Sequence, residues 1–248
     1  MNLYKLNALL GANYKLGDHW LLTGSVAYDV FNNMNNFNYE PPPAPLPRVR
    51  SDLRQYLTTS RFGISSLQAN YFDSANDVFY GQVYGGYLED MFAGIGGEVL
   101  FQPKDARFAI GLDINAVQQR AFNRLFGLQP YKVLTGHLTA YYQLPIYQIL
   151  ARVSVGRYLA KDIGTSINLS RQFQSGITLG GFATFTNVSA HQFGEGSFNK
   201  GFYLTIPFDL FTIRSTTQRA TFSWVPLTRD GGQMLFRRYS LYDIVSKN

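Results

Sequence analysis

The sequence predicts an all-β protein, and more narrowly an antiparallel, up-and-down transmembrane β-barrel of about 12–14 strands, either closed alone or part of a larger barrel. Three observations lead to this fold class. Apolar and polar residues alternate in many segments of about ten residues, the length that a tilted strand needs to cross a bilayer. Aromatic residues make up 16% of the chain and charged residues only 15%. Long and short connections also alternate along the sequence.

The alternation is strictest in five segments, each with one apolar and one polar face as a strand exposed to two environments requires. They are residues 19–30, 107–116, 134–142, 163–170 and 202–210. Eight weaker segments raise the expected count to about 13. They are residues 3–15, 62–73, 78–89, 92–102, 146–158, 176–188, 219–226 and 233–244.

The connections between these segments differ in length in a regular way. Three long polar stretches, at 31–61, 120–130 and 189–200, are expected on one side of the sheet. Short turns such as 16–18 and 143–145 are expected on the other side, as in outer-membrane barrels. Residues 32–48 contain a run of prolines, which cannot donate ladder hydrogen bonds, so they are expected to form a loop within a single domain of residues 1–248.

Composition excludes several classes of protein. No run of about 18 apolar residues exists, so a helical membrane protein is excluded. The chain has no cysteine, which excludes disulfides and thiolate chemistry. Its net charge of +6 is spread thinly rather than gathered into a basic run, so nucleic acid is not an expected partner.

Catalytic, metal and cofactor motifs are weak. The three histidines lie in no nucleophile elbow, and the segment 194–197 only partly resembles one. Carboxylates near strands, including Glu98 and Asp113, show no pairing by spacing and are expected to face arginines instead. His191 with Glu195 is the closest candidate metal pair. The glycine clusters match no phosphate loop. We therefore expect no enzymatic activity, no metal and no cofactor.

Several short sequence motifs resemble motifs in the C-terminal part of the YjbH family of exopolysaccharide-associated outer-membrane proteins. They occur in the same order as in that family, over about residues 48–235. They are GGEVLFQP (96–103), VQQR (117–120), YKVLTGH (131–137), GRYLAKD (156–162), GEGSFNKG (194–201) and PLTRDGGQ (226–233). The resemblance implies a barrel in the bacterial outer membrane that takes part in exopolysaccharide or capsule secretion. It implies no catalytic residue.

Combined with the polar faces of the strands, the resemblance makes five residues candidate contacts of low affinity for an exopolysaccharide chain. They are Arg107, Asp113, His137, Arg152 and Arg171. The arginine-rich segment 48–61 either folds into the lumen or faces lipopolysaccharide phosphates. Expected partners are outer-membrane lipid, lipopolysaccharide, the polymer, and periplasmic or lipoprotein components of the export system.

Three alternatives remain open from the sequence. The first is an outer-membrane enzyme that modifies lipid or glycan. The second is a scaffold that binds secretion partners and conducts nothing. The third is a soluble carbohydrate-binding β-sandwich.

Overall fold

The computed structural model describes residues 4–36, 45–193, 198–210, 219–225 and 229–246. They form one antiparallel sheet of twelve strands, in which each strand pairs with the next along the chain. The strands are β1 (Lys5–Leu16), β2 (Trp20–Asn32), β3 (Phe62–Ala75), β4 (Phe79–Tyr87), β5 (Phe92–Phe101), β6 (Phe108–Arg120), β7 (Leu128–Gln143), β8 (Ile149–Arg157), β9 (Ile163–Gln172), β10 (Thr178–Thr186), β11 (Asn199–Pro207) and β12 (Arg219–Trp224).

Helical structure is confined to the connections and the end of the chain. Three short α-helices are present among the described residues: α1 (Leu53–Thr58), α2 (Ala190–Phe193) and α3 (Leu241–Val245). Single 3-10 turns lie at Met34–Asn36 and Phe208–Leu210. No helix in the described ranges has the length and apolar composition needed to span a membrane.

The two faces of the sheet have opposite polarity, as the alternation predicts. In β6, Asp113 and Asn115 are buried, at 5% and 1% exposure. Their neighbours Leu112 and Ile114 are 47% and 54% exposed. The same arrangement holds in β7, where Thr135 and His137 are buried while Leu134 and Leu138 are exposed. We call the polar, buried side the inner face and the apolar, exposed side the outer face.

The sheet is strongly curved about its inner face. Gly232 accepts a hydrogen bond from Asn199 at the start of β11, and Arg238 donates one to Ser66 in β3. In a flat sheet these strands would lie almost 40 Å apart, because eight spacings of about 4.8 Å separate them. Six residues of extended chain span at most about 21 Å, even before two side chains are added. The inner face is therefore concave.

The two ends of the meander, β1 and β12, have no ladder partner on their outer edges among the described residues. Closure of the barrel by backbone hydrogen bonds is thus not seen. Twelve is an even number, so β1 and β12 run antiparallel to each other across this opening.

Residues 229–246, which we call the C-terminal segment, lie on the inner face rather than in the sheet. Here the prediction of a strand at 233–244 is wrong. Arg237 and Arg238 are consecutive, so in a strand one of them would lie on the apolar outer face. In the structure, Arg237 and Arg238 both bond to inner-face side chains. The other twelve predicted strands are confirmed.

The connections follow the predicted pattern. The strand ends joined by the long connections, β2–β3, β6–β7 and β10–β11, lie at one rim, which we call the long-loop rim. The predicted short turns lie on the opposite rim, where β11 also ends and β12 begins. Parts of two predicted features, the proline-rich loop and the segment 194–201, lie outside the described residues, at 37–44 and 194–197.

Two apolar clusters lie inside the curved sheet, one near each rim. At the long-loop rim, Val49, Tyr56 and Leu235 pack against Phe92 and Leu159. At the opposite rim, Leu241 and Tyr242 of α3 pack against Leu100 and Tyr141. The C-terminal segment contributes to both clusters, so it runs the full height of the interior.

A matched pair of glycine substitutions in β4 tests the register between β3 and β4. Gly86 has a φ of +130°, and a Cβ there would lie 2.2 Å from the Leu67 carbonyl oxygen, whereas a Cβ on Gly81 of the same strand meets nothing within 4 Å. We expect Gly86→Ala to lower the free energy of unfolding by about 1–3 kcal/mol and Gly81→Ala to leave it nearly unchanged. Denaturant unfolding of both variants in detergent measures this, and equal effects would contradict the register of β3 and β4.

Candidate functional site

The most developed polar site lies where the C-terminal segment crosses the inner face. Arg237 is the centre of this site: its guanidinium lies 3.0 Å from Glu98 Oε2 and 3.5 Å from Asp113 Oδ1. Glu98 and Asp113 face each other in the ladder between β5 and β6, so the register brings two carboxylates together. A single cation from the C-terminal segment compensates both.

Further hydrogen bonds fix these groups. Glu98 Oε2 accepts the backbone N–H of Leu241 at 3.0 Å and also a bond from the amide of Gln82. Asn115 donates to Asp113 Oδ2 at 2.7 Å. Burial alone would lower the pKa of Arg237, but Asp113 and Glu98 outweigh it and hold that pKa above its ordinary value. Arg237 is therefore charged at neutral pH and can act as the counter-charge of both carboxylates.

A second anchor joins the start of the C-terminal segment to the long-loop rim. Asp230 Oδ1 accepts the backbone N–H groups of Val49, Arg50 and Ser51 at 2.8, 2.8 and 2.9 Å. Its other oxygen accepts the Ser51 hydroxyl at 2.6 Å. One carboxylate thus satisfies four donors, which is an arrangement that a neutral side chain cannot reproduce.

Arg50 extends this anchor toward the sheet. Its guanidinium donates to both carboxylate oxygens of Glu89, at 2.7 and 3.1 Å, and to the Met234 carbonyl at 3.0 Å. Burial raises the pKa of Glu89, and the Arg50 charge opposes that rise. The bidentate geometry is the one in which an arginine binds a carboxylate most strongly.

The segment 48–61, for which the sequence left two interpretations open, is packed rather than solvated at its apolar positions. Val49 is fully buried and Tyr56 is 2% exposed. The Tyr56 hydroxyl donates to the Arg120 carbonyl at 2.6 Å, and burial raises the pKa of Tyr56 to about 12. The segment covers the interior at the long-loop rim, while Arg61 at its end is exposed.

The third anchor lies at the end of the C-terminal segment. Asp243 of α3 accepts a bond from Arg152 at 2.5 Å. Beside it, the rings of Tyr141 and Tyr242 stack with centroids 4.0 Å apart and 4° between their planes. Arg152 lies 5.6 Å from both ring centroids, within reach of a cation–π interaction.

Between the C-terminal segment and strands β6–β11 lies a cleft of about 470 Å³. Its wall consists of hydroxyl and amide side chains from successive strands, with Asp113, His137 and Arg152 at one end. The wall side chains are Thr139, Ser154, Ser166, Asn168, Thr184 and Asn199. All six are buried or half-buried, so they face the concave interior of the sheet.

The structure brings together three of the five predicted contacts. Asp113, His137 and Arg152 all line the cleft, and His137 Nδ1 lies 3.8 Å from Asp113 Oδ2. Each follows the polar parity of its strand, so the alternation alone assigns all three to the inner face.

Arg107 and Arg171 do not line the cleft. Arg107 lies in the turn before β6 and is exposed. Arg171 has the parity of Leu169 in β9, which puts its side chain on the outer face near the rim. There it stacks over Tyr147 and Phe173, at 5.1 and 4.8 Å from their centroids.

Sequence reasoning missed the partners that the C-terminal segment supplies. Asp230, Arg237 and Asp243 were not singled out, because 233–244 resembles one more amphipathic strand. A signal was present in the pair Arg237 and Arg238, since adjacent charges fit poorly in a strand with an apolar face.

Two arginines of the C-terminal segment form a matched pair for testing this anchoring. Arg237→Ala leaves two carboxylates buried without their cation, so we expect a loss of about 3–5 kcal/mol in the free energy of unfolding and rapid cleavage near residue 237. Arg238 is exposed and makes one hydrogen bond to Ser66, so Arg238→Ala is expected to cost no more than about 1 kcal/mol. Limited proteolysis of the folded protein checks this, and equal protection of both variants would contradict the role of Arg237.

Comparison with known proteins matches the sequence resemblance and extends it to nearly the whole chain. The chain matches the family YjbH, described as exopolysaccharide biosynthesis protein YbjH, over residues 1–247. It is 47% identical over 250 residues to the uncharacterized lipoprotein YjbH of Escherichia coli (strain K12). That match covers 98% of this chain and 36% of the relative, so the chain spans about a third of the relative's length. No solved structure matches. The chain therefore belongs to the YjbH family, which is linked to exopolysaccharide biosynthesis.

Proposed function

We propose that the chain is an outer-membrane β-barrel component of exopolysaccharide or capsule biosynthesis and secretion, which forms or supports the conduit for the polymer. The observation that carries the proposal is the reversed polarity of the sheet, with apolar side chains outside and polar side chains inside. A water-soluble sheet protein buries its apolar face. This chain exposes it along most of its strands.

The outer face is apolar at mid-strand, where the centre of a bilayer would lie. Each of the following side chains is at least 38% exposed: Val83, Ile95, Val99, Ile110, Leu112, Ile114, Leu134, Leu138, Val153, Val155, Ile167 and Leu169. Contiguous patches of this kind are rare on soluble monomers and mark membrane or protein contact. Lipid and lipopolysaccharide of the bacterial outer membrane are the partners that we assign to this face.

The inner face supports contact with a hydrated polymer. Its hydroxyl, amide and charged groups follow one another from strand to strand, so a chain can pass between many weak sites without being held at one. The C-terminal segment occupies part of the interior and packs against apolar clusters near both rims. Passage of a polymer thus requires that this segment move, or that the polymer use the cleft beside it.

The filled interior also favours a second candidate, a scaffold that conducts nothing and binds periplasmic or lipoprotein components of the export system. The relative from Escherichia coli is named a lipoprotein. The two candidates differ in ion conductance, measured with the purified protein in a planar bilayer. After the C-terminal segment has been released, a conduit conducts ions and a scaffold does not. Neither role needs a catalytic residue, and we assign no enzymatic activity.

Two isoleucines, one on the outer face and one in a turn, test the membrane orientation. Ile114 in β6 and Ile146 in the turn after β7 are 54% and 60% exposed. In lipid, we expect Ile114→Arg to lower the free energy of unfolding by about 2–4 kcal/mol and to reduce the amount of assembled protein. An arginine at a rim lowers that free energy by about 1 kcal/mol or less. Ile146→Arg is the matched control.

The readouts are the amount of protein in the outer-membrane fraction, the change in gel mobility on boiling, and the polymer secreted by the cells. We expect all three to fall with Ile114→Arg and to be retained with Ile146→Arg. Recovery of the unaltered protein in the aqueous fraction, or normal assembly of both variants, would refute the membrane-embedded barrel.

A further inference from the structure

We propose that the cleft is a binding site for an uncharged, hydroxyl-rich saccharide unit, held between the strand wall and the C-terminal segment. The inference deepens the proposed function, because it assigns a ligand class to one place on the inner face. It is carried by the charge balance of the cleft, its hydroxyl-lined wall, and two buried nitrogens that lack partners.

Each guanidinium that lines the cleft already has a carboxylate partner. Arg50 pairs with Glu89, Arg152 with Asp243, and Arg237 with both Glu98 and Asp113. Three guanidinium groups thus face four carboxylates. An acidic sugar would have to displace one of these carboxylates and leave it buried without a cation, which is costly.

The wall offers donors and acceptors in the mixture that sugar hydroxyls need. Thr139 and Ser154 bond to each other at 2.9 Å, and Ser166 and Thr184 bond at 2.6 Å. Ser166 also bonds to the Tyr158 hydroxyl at 2.8 Å. A hydroxyl has one donor and two acceptor positions, so each of the four keeps at least one for a ligand. Phe182, which is half-buried, also lines the cleft, so the C–H face of a sugar ring has an aromatic surface to contact.

Three buried nitrogens of cleft-lining side chains make no hydrogen bond among the described residues: His137 Nε2, Arg152 Nε and Arg237 Nη1. Arg237 Nη1 lies in an ion pair 3.0 Å from Glu98 Oε2, which leaves His137 Nε2 and Arg152 Nε as the two without any partner. His137 is 5% exposed, and its Nδ1 faces Asp113. Its unpaired Nε2 is on the opposite side of the ring from that contact. An unpaired buried polar atom is unfavourable, and a ligand hydroxyl would satisfy it. The cleft volume is within the range of small-molecule sites, about 300–1,000 Å³.

The test uses the intact protein in detergent, together with the exopolysaccharide that is secreted by the bacterium from which the protein comes. Partial hydrolysis of that polymer, followed by anion exchange, yields uncharged and acidic oligosaccharide fractions for isothermal titration calorimetry. We expect the uncharged fraction to bind, with a Kd that changes less than about threefold between about 0.05 and 0.5 M NaCl, because no charge is neutralised.

Two conservative variants and one control assign the binding to the cleft. His137→Phe keeps a ring beside Tyr158 and removes Nε2, while Arg152→Lys keeps a cation for Asp243 and removes Nε. Each is expected to weaken binding about tenfold, the effect of roughly 1.4 kcal/mol. Arg107→Ala, in an exposed turn away from the cleft, is expected to leave the Kd unchanged.

Several results would overturn the inference: tighter binding of the acidic fraction, a polymer that yields only acidic oligosaccharides, no binding of either fraction, or equal Kd values for all variants. Failure of the proposed function is distinguishable, since it appears as a soluble protein or as secretion that does not depend on the chain. A soluble protein that binds the uncharged fraction in the cleft would retain the inference and refute the membrane role.

Discussion

The Arg237 guanidinium compensates two buried carboxylates, Glu98 and Asp113, that neighbouring strands place side by side. Removal of this cation would leave two buried charges on the inner face of the sheet. The C-terminal segment is held in the middle by this interaction. At its two ends it is held by Asp230, which accepts four hydrogen bonds from Val49, Arg50 and Ser51, and by Asp243, which pairs with Arg152. The C-terminal segment thus supplies hydrogen bonds and a counter-charge to buried polar groups of the inner face.

The polarity of the two faces then determines what the molecule can contact. The outer face exposes branched aliphatic side chains along β4–β9, and the inner face holds hydroxyl, amide and charged groups. The C-terminal segment occupies part of the interior and packs against apolar clusters near both rims. Cavities of about 470 Å³ lie on each side of it, one toward β6–β11 and one toward β1–β3. For the proposed conduit, a polymer would have to pass beside this segment or displace it.

Much of this could be predicted from sequence because strand alternation depends only on neighbouring residues. Asp113, His137 and Arg152 were found by their parity in β6, β7 and β8. Arg171 was misplaced because it was chosen for its charge, although its parity with Leu169 puts it on the outer face. The C-terminal segment was mistaken for a strand, since its contacts with Glu98, Asp113 and Arg152 join residues about 90 to 140 positions apart and leave no local pattern.

The measurement that tests the orientation of the sheet most directly is a spin-label scan of residues 108–116 in β6, with the protein in lipid vesicles. We predict that accessibility to oxygen, which concentrates in lipid, peaks at Phe108, Ile110, Leu112 and Ile114 and falls at Ala109, Gly111, Asp113 and Asn115. Accessibility of the first set to a water-soluble nickel complex, or the absence of a two-residue period, would contradict it.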